Sequence, residues 1–267
     1  MYTALVEVLK DLWAFVVTKK PVSQESKSAQ LQSEQSPEQS RPQSTQSPKE
    51  GFFLESRVGY VAQPHVACLQ MPQNTFDTRR GVFQYGDVVK VIRQKDTWSF
   101  VESAALQGWV ESKYLTDDEH EVFPILQSNQ VYDANNKETK KLRQYLNDEL
   151  LGGQLQMHLQ PAEFVLYKLK KLRADVMWPL ERPRLPGTWQ SILRGKKGVS
   201  LGQEPKTSSV LEYNGNTEPF LAFVESVTPD NSIVISCVGR QNAGEYEQQE
   251  FTSAQWKEWR PVFISFT

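Results

Sequence analysis

Cysteine and histidine are scarce in this sequence: Cys68 and Cys237 are the only cysteines, and His65, His120 and His158 the only histidines, among 267 residues. The two cysteines lie far apart, which excludes a disulfide framework and a cysteine-rich metal site. No metal and no cofactor are expected. Net charge is also slight, because 30 Lys and Arg stand against 32 Asp and Glu. That balance argues against a general nucleic-acid binder, whose affinity comes mainly from counterion release by many basic side chains. The apolar stretch at residues 2–17 is short for a bilayer span. Aromatic residues are missing altogether from residues 21–50.

What is present divides the chain. Residues 2–17 put Thr3, Glu7, Lys10, Asp11 and Ala14 at helical spacing, with apolar residues over the rest. This reads as an amphipathic helix within residues 1–20, docked on the protein itself, on a second copy, or on a membrane surface. Lys19 and Lys20 follow the apolar run, whereas a secretory signal wants its positive charge first. Residues 21–50 are rich in Gln, Ser, Pro and Glu and bury too little apolar surface to offset the entropy of ordering, so a disordered linker is expected.

From residue 51 to 117 the pattern becomes short alternating runs, at Val58 to Ala62, Val66 to Leu69, Val88 to Ile92, Trp98 to Val101 and Gly108 to Leu115. These read as strands of a small all-β unit. Residues 120–267 read differently. Helices are expected from Asn136 to Leu150 and from Pro161 onward, followed by strands at Ser208–Tyr213, Phe220–Val227, Ser232–Val238 and Arg260–Phe266. Pro229, Asp230 and Asn231 supply the turn between the middle pair, and helices before an antiparallel sheet give an α+β order.

The string "YGDVVKV…W…V…QGWVESKYL" resembles the bacterial SH3-like family over residues 51–117, with Ala67 to Pro72 departing from its usual Asn-Val-Arg segment. The resemblance implies a barrel that binds peptides or cell-wall fragments through exposed aromatics. Trp98, Trp109 and Tyr114 are the candidates, and the alternative for the tryptophans is the small core. The strings "FVLYKLKKLRADV" and "FLAFVESV" followed by "NSIVIS" resemble the CHAP family of papain-like cysteine amidohydrolases, which cut peptidoglycan. The expected fold is therefore multidomain, an SH3-like barrel plus a CHAP-type α+β domain, with the N-terminal helix and linker before them.

Amide cleavage by such a family needs a Cys thiolate at a helix start, a His on the facing strand and a polar group that orients the His. The resemblance lays those positions on Phe164, Phe220 and Cys237, none of which suits the role. The two phenyl rings are expected to face each other as an apolar plug beside a groove, with Phe164, Phe220, Lys168 and Lys171 as ligand contacts. The expectation is a pseudoenzyme of the bacterial cell envelope that recognises a peptide, cell-wall polymer or partner protein. The alternative is an amidase with Cys237 and His158 as a relocated pair. Residues 168–197 hold nine Lys or Arg against Asp175 and Glu181, which reads as a solvated face or as a patch for an anionic partner.

Overall fold

The structure is a computed structural model and describes residues 53–73, 78–146, 155–172, 184–215 and 218–266. The helix expected over 2–17 and the linker expected over 21–50 lie outside the described residues. Residues 50–267 form one compact unit, mostly β-structure with few helices, built on two seven-stranded antiparallel sheets.

The first sheet takes β1 (Phe53–Val61), β2 (Val66–Leu69), β3 (Arg79–Phe83), β4 (Val88–Lys95), β5 (Trp98–Glu102), β6 (Gln107–Glu111) and β7 (Leu115–Thr116) in the order β3-β2-β6-β5-β4-β1-β7. Its core comes from alternate positions, among them Val61, Cys68, Phe83, Val91, Val101 and Val110, as a period of two requires. The single run expected from Gly108 to Leu115 is broken by a 3₁₀ turn at Ser112–Tyr114. Strand β3 was not expected, because its Arg79-Arg80-Gly81 start has no apolar alternation; pairing with β2 supplies the order instead.

The second sheet takes β8 (Gln130–Val131), β9 (Val199–Gly202), β10 (Val210–Tyr213), β11 (Phe220–Val227), β12 (Ile233–Val238), β13 (Glu245–Phe251) and β14 (Val262–Phe266) in the order β8-β13-β12-β11-β10-β14-β9. Its helices are α1 (Glu119–Val122), α2 (Lys137–Leu146), α3 (Pro161–Lys171), α4 (Trp189–Leu193) and α5 (Ser253–Glu258). One face of the sheet, with Leu221, Phe223 and Ile264, shares a core with Leu142, Phe164, Leu169 and Trp189 of α2, α3 and α4. The other face, with Leu211, Ala222, Val224, Ile235 and Cys237, packs with Trp256 of α5. Full burial of each such apolar side chain contributes about 1.5–3 kcal/mol before entropy is counted.

Among the described residues, the two sheets meet at an aromatic junction. Tyr60 of β1, Phe123, Tyr145 of α2 and Tyr167 of α3 form a chain of edge-to-face contacts at 5.9, 5.2 and 5.7 Å between ring centroids. Tyr85 closes it by donating its hydroxyl to the carbonyl of Val122 at 2.9 Å. Gly86, at φ +84°, lies so close to the Tyr145 ring that a Cβ would collide with it. A positive φ and that close approach both call for glycine.

Candidate functional site

Helix α3 starts at Pro161, after Gln160 as its N-cap, because three features agree. Pro161 occupies the first turn, where a missing N–H does no harm. Glu163 accepts the Gln160 N–H at 3.0 Å. Arg143 of α2 donates to both oxygens of Glu163, at 3.0 Å each, and its remaining N–H groups reach the carbonyls of Leu155 and Met157 at 2.8 and 3.0 Å. Both charged side chains are buried, 6% and 5% exposed. The pair thus ties α2, the approach to α3 and the α3 start into one rigid corner.

At that corner Phe164 is 2% exposed and meets Tyr246 of β13 edge-to-face at 5.5 Å. Phe220 does not face it, contrary to the expected plug. Strand β11 alternates, so Leu221 and Phe223 point toward α3 while Phe220, Ala222 and Val224 point to the opposite face. There Phe220 stacks between Tyr213, at 5.3 Å, and Trp259, at 5.7 Å. Cys237 pairs in register with Ala222 and shares that far face. Its thiol is 1% exposed and pushed up to about 12, first by burial and then by the carboxylate of Glu247, with Arg240 opposing. His158 is exposed and lies against Gly244, and no described hydrogen bond joins it to Cys237.

The basic residues beside α3 are engaged within the chain. Lys168 pairs with Glu225 of β11 at 2.6 Å, and Glu225 also accepts from Ser236 at 2.5 Å. Lys170 donates to the Tyr145 carbonyl at 2.8 Å, and the Lys171 ammonium sits 4.7 Å from the Phe123 ring centre. Thus Lys171 belongs to the junction between the sheets, and Lys168 to a charge pair at the edge of α3. Among the described residues of the basic run, Lys171, Arg184, Arg194, Lys196 and Lys197 are exposed.

The first sheet carries an open site. Trp98 and Tyr114 line a cleft of about 250 Å³ with Gln63, Pro64, His65 and Glu111. Trp98 stands beside Glu111 in register, while Val101 and Val110 point inward, so this face of β5 and β6 is the outer one. Trp109 shares the outer face without lining the cleft: it is 7% exposed, packed on Phe100 at 5.4 Å and beneath the Arg93 guanidinium at 5.0 Å. Neither tryptophan fills the valine-rich core. Pro64, His65 and Glu111 are lining residues that the sequence did not signal, because the β1–β2 loop and the end of β6 meet only after the strands pair.

No family model matches the chain, and no curated protein matches it. Among solved structures it is similar to an N-acetylmuramoyl-L-alanine amidase from Staphylococcus aureus, with a TM-score of 0.35 and 19% identity. The match covers 40% of this chain and 31% of that one. The chain thus spans less than a third of that protein, and a likeness of this degree carries no argument about activity.

Proposed function

We propose that the chain is a non-catalytic binding protein of the bacterial cell envelope, an SH3-like barrel joined to a CHAP-type domain without its catalytic residues. The barrel captures a peptide segment carried by the cell wall or by a partner protein. The observation that carries this reading is the cleft walled by Trp98 and Tyr114, with the Glu111 carboxylate at its rim. Two half-buried rings offer apolar area at low entropic cost, and one carboxylate and one imidazole supply orientation. Absence of catalysis is supported by Phe164 in the interior and by the buried, neutral Cys237 thiol, since a nucleophilic cysteine needs a lowered pKa and access to substrate. Residues 2–17 would hold the protein at a membrane or on a partner.

The test is a parallel pull-down of the full chain with cell-wall sacculi and with cell lysate, repeated with Trp98→Ala and Tyr114→Ala. The expected result is capture that drops several-fold in both variants while the fold survives. Capture unchanged in both variants overturns the barrel reading. Release of new amines from peptidoglycan, abolished by Cys237→Ala, overturns the non-catalytic one.

A further inference from the structure

The end of the second sheet holds a trough remote in sequence from the barrel cleft. Two adjoining cavities of about 460 and 420 Å³ share Gln190 and Val262. The first is walled by Tyr213, Asn214, Glu258, Trp259 and Arg260. The second runs past Arg194, Leu201 and Gln203. Glu212 forms the floor, and its carboxylate is already committed. It accepts the backbone N–H of Trp189 at 2.8 Å and of Gln190 at 2.6 Å, so it fixes the start of α4 rather than meeting a ligand.

The aromatic wall is held from behind. Trp259 packs on Phe251 at 4.5 Å and on Phe220 at 5.7 Å, and Tyr213 leans on Phe220. A Cβ at Gly215 would collide with the Tyr213 hydroxyl, so the absence of a side chain there lets the ring take its position. Arg260 is the most telling residue. It ends α5 at φ +50° and donates its N–H to the Lys257 carbonyl at 3.1 Å. Helices commonly end on glycine in this conformation, and any other L-residue costs about 1–2 kcal/mol there. Glycine would suit this backbone better, yet the position carries an exposed arginine that lines the trough. Arg194 and Arg260 make no ion pair among the described residues, and Lys196 and Lys197 are exposed on the same turn as Arg194.

We infer that this trough binds a short anionic glycan. Sugar rings present C–H faces to aromatic rings and hydroxyl edges to side-chain amides, which are here Gln190, Asn214 and Gln203. Guanidinium groups recognise carboxylates with two parallel hydrogen bonds, and Arg260 and Arg194 stand along the trough to do so. The lining is mainly polar and has no deep apolar pocket, so an apolar peptide side chain finds no anchor. The barrel cleft is a separate site, and either can fail without the other.

The experiment is calorimetric titration of the full chain with three probes. These are a tetrasaccharide of alternating uronic acid and N-acetylhexosamine, a neutral N-acetylglucosamine tetramer and hexaglutamate. The expected order is the anionic glycan well ahead of both others, with affinity that falls as salt rises. Arg260→Gly fits the backbone and should weaken the anionic glycan about tenfold or more, a loss in keeping with a charged hydrogen-bonding pair. Arg194→Ala, on an exposed turn, should weaken it too, whereas Trp98→Ala should leave it unchanged. Absence of binding by the anionic glycan, equal affinity for the neutral tetramer or for hexaglutamate, or undiminished affinity in Arg194→Ala would overturn the inference.

Discussion

Phe164 and Phe220 lie on opposite faces of the second sheet. One is interior on the α3 side; the other leans on Tyr213 and Trp259 on the far side. The separation follows from strand periodicity alone: in β11 the ring at Phe220 points with Ala222 and Val224, away from α3. It also makes the two residues independent in energy, because additivity holds for side chains without shared partners.

The first prediction follows from that independence. Phe164→Ala should destabilise the protein by about 3–5 kcal/mol, the cost of a large cavity in a closed core. Phe220→Ala removes a half-buried ring and should cost about 1–2 kcal/mol, with the double variant equal to the sum. Urea denaturation of the three variants measures this. A clear coupling between the two substitutions would mean that the rings touch, and the assignment to separate faces would fall.

The second prediction concerns thiol chemistry. Cys237 is pushed up to about 12 and Cys68 to about 11, in each case mainly by burial. Each thiol therefore favours its neutral form in the folded state. The linked stability is fully present below the unfolded thiol pKa of about 8.5 and is lost as pH rises toward the folded values. The native protein should resist alkylation at pH 8, react at both cysteines in guanidinium, and lose stability above about pH 9. Cys237→Ala should make the alkaline loss shallower. Rapid alkylation of Cys237 in the native state would contradict the burial and reopen a nucleophilic role.

Most strands were legible in the sequence because their alternation is local, and β11 is found at the bounds its apolar pattern gives. The start of α3 was legible too, from Pro161 in the first turn, whereas the capping role of Glu163 came only with the structure. What was not legible depends on partners distant in the chain. Strand β13, with Tyr246, Glu247, Gln248 and Gln249 in sequence, alternates weakly and is held by β12. The outer position of Trp98 and Trp109 is set by which side of β5 and β6 the valines take. The engagement of Lys168 by Glu225 and of Lys171 by Phe123 turns a run of like charge into internal contacts, which sequence composition does not reveal.

A third prediction tests the corner that starts α3. Arg143 and Glu163 are both buried, and removing one partner leaves the other charge without compensation. Arg143→Met should cost about 3–5 kcal/mol. Adding Glu163→Leu to it should cost little more, or recover stability, because the stranded carboxylate is then gone as well. Thermal unfolding of the single and double variants reads this directly. Losses that simply add would mean that the two groups act separately.

The fourth prediction isolates the junction between the sheets by comparing two glycines. Gly86 and Gly195 both have positive φ, +84° and +72°. An added Cβ at Gly86 would run into the Tyr145 ring, whereas at Gly195 it would meet nothing within 4 Å. Gly195→Ala should therefore pay only the conformational cost, about 1–2 kcal/mol. Gly86→Ala pays that and must also displace Tyr145, whose ring contacts Phe123 and Tyr167 and whose carbonyl accepts from Lys170. Its loss should exceed that of Gly195→Ala by at least the roughly 1–3 kcal/mol typical of overpacking. The excess should fall on the junction, so unfolding should split into two transitions, one for each sheet, while Gly195→Ala keeps one. Trimming the obstacle provides the control, because in a Tyr145→Ala background the excess cost of Gly86→Ala should vanish. If the two alanine substitutions cost the same, Gly86 serves only its own turn, and the aromatic chain from Tyr60 to Tyr167 does not couple the sheets through it.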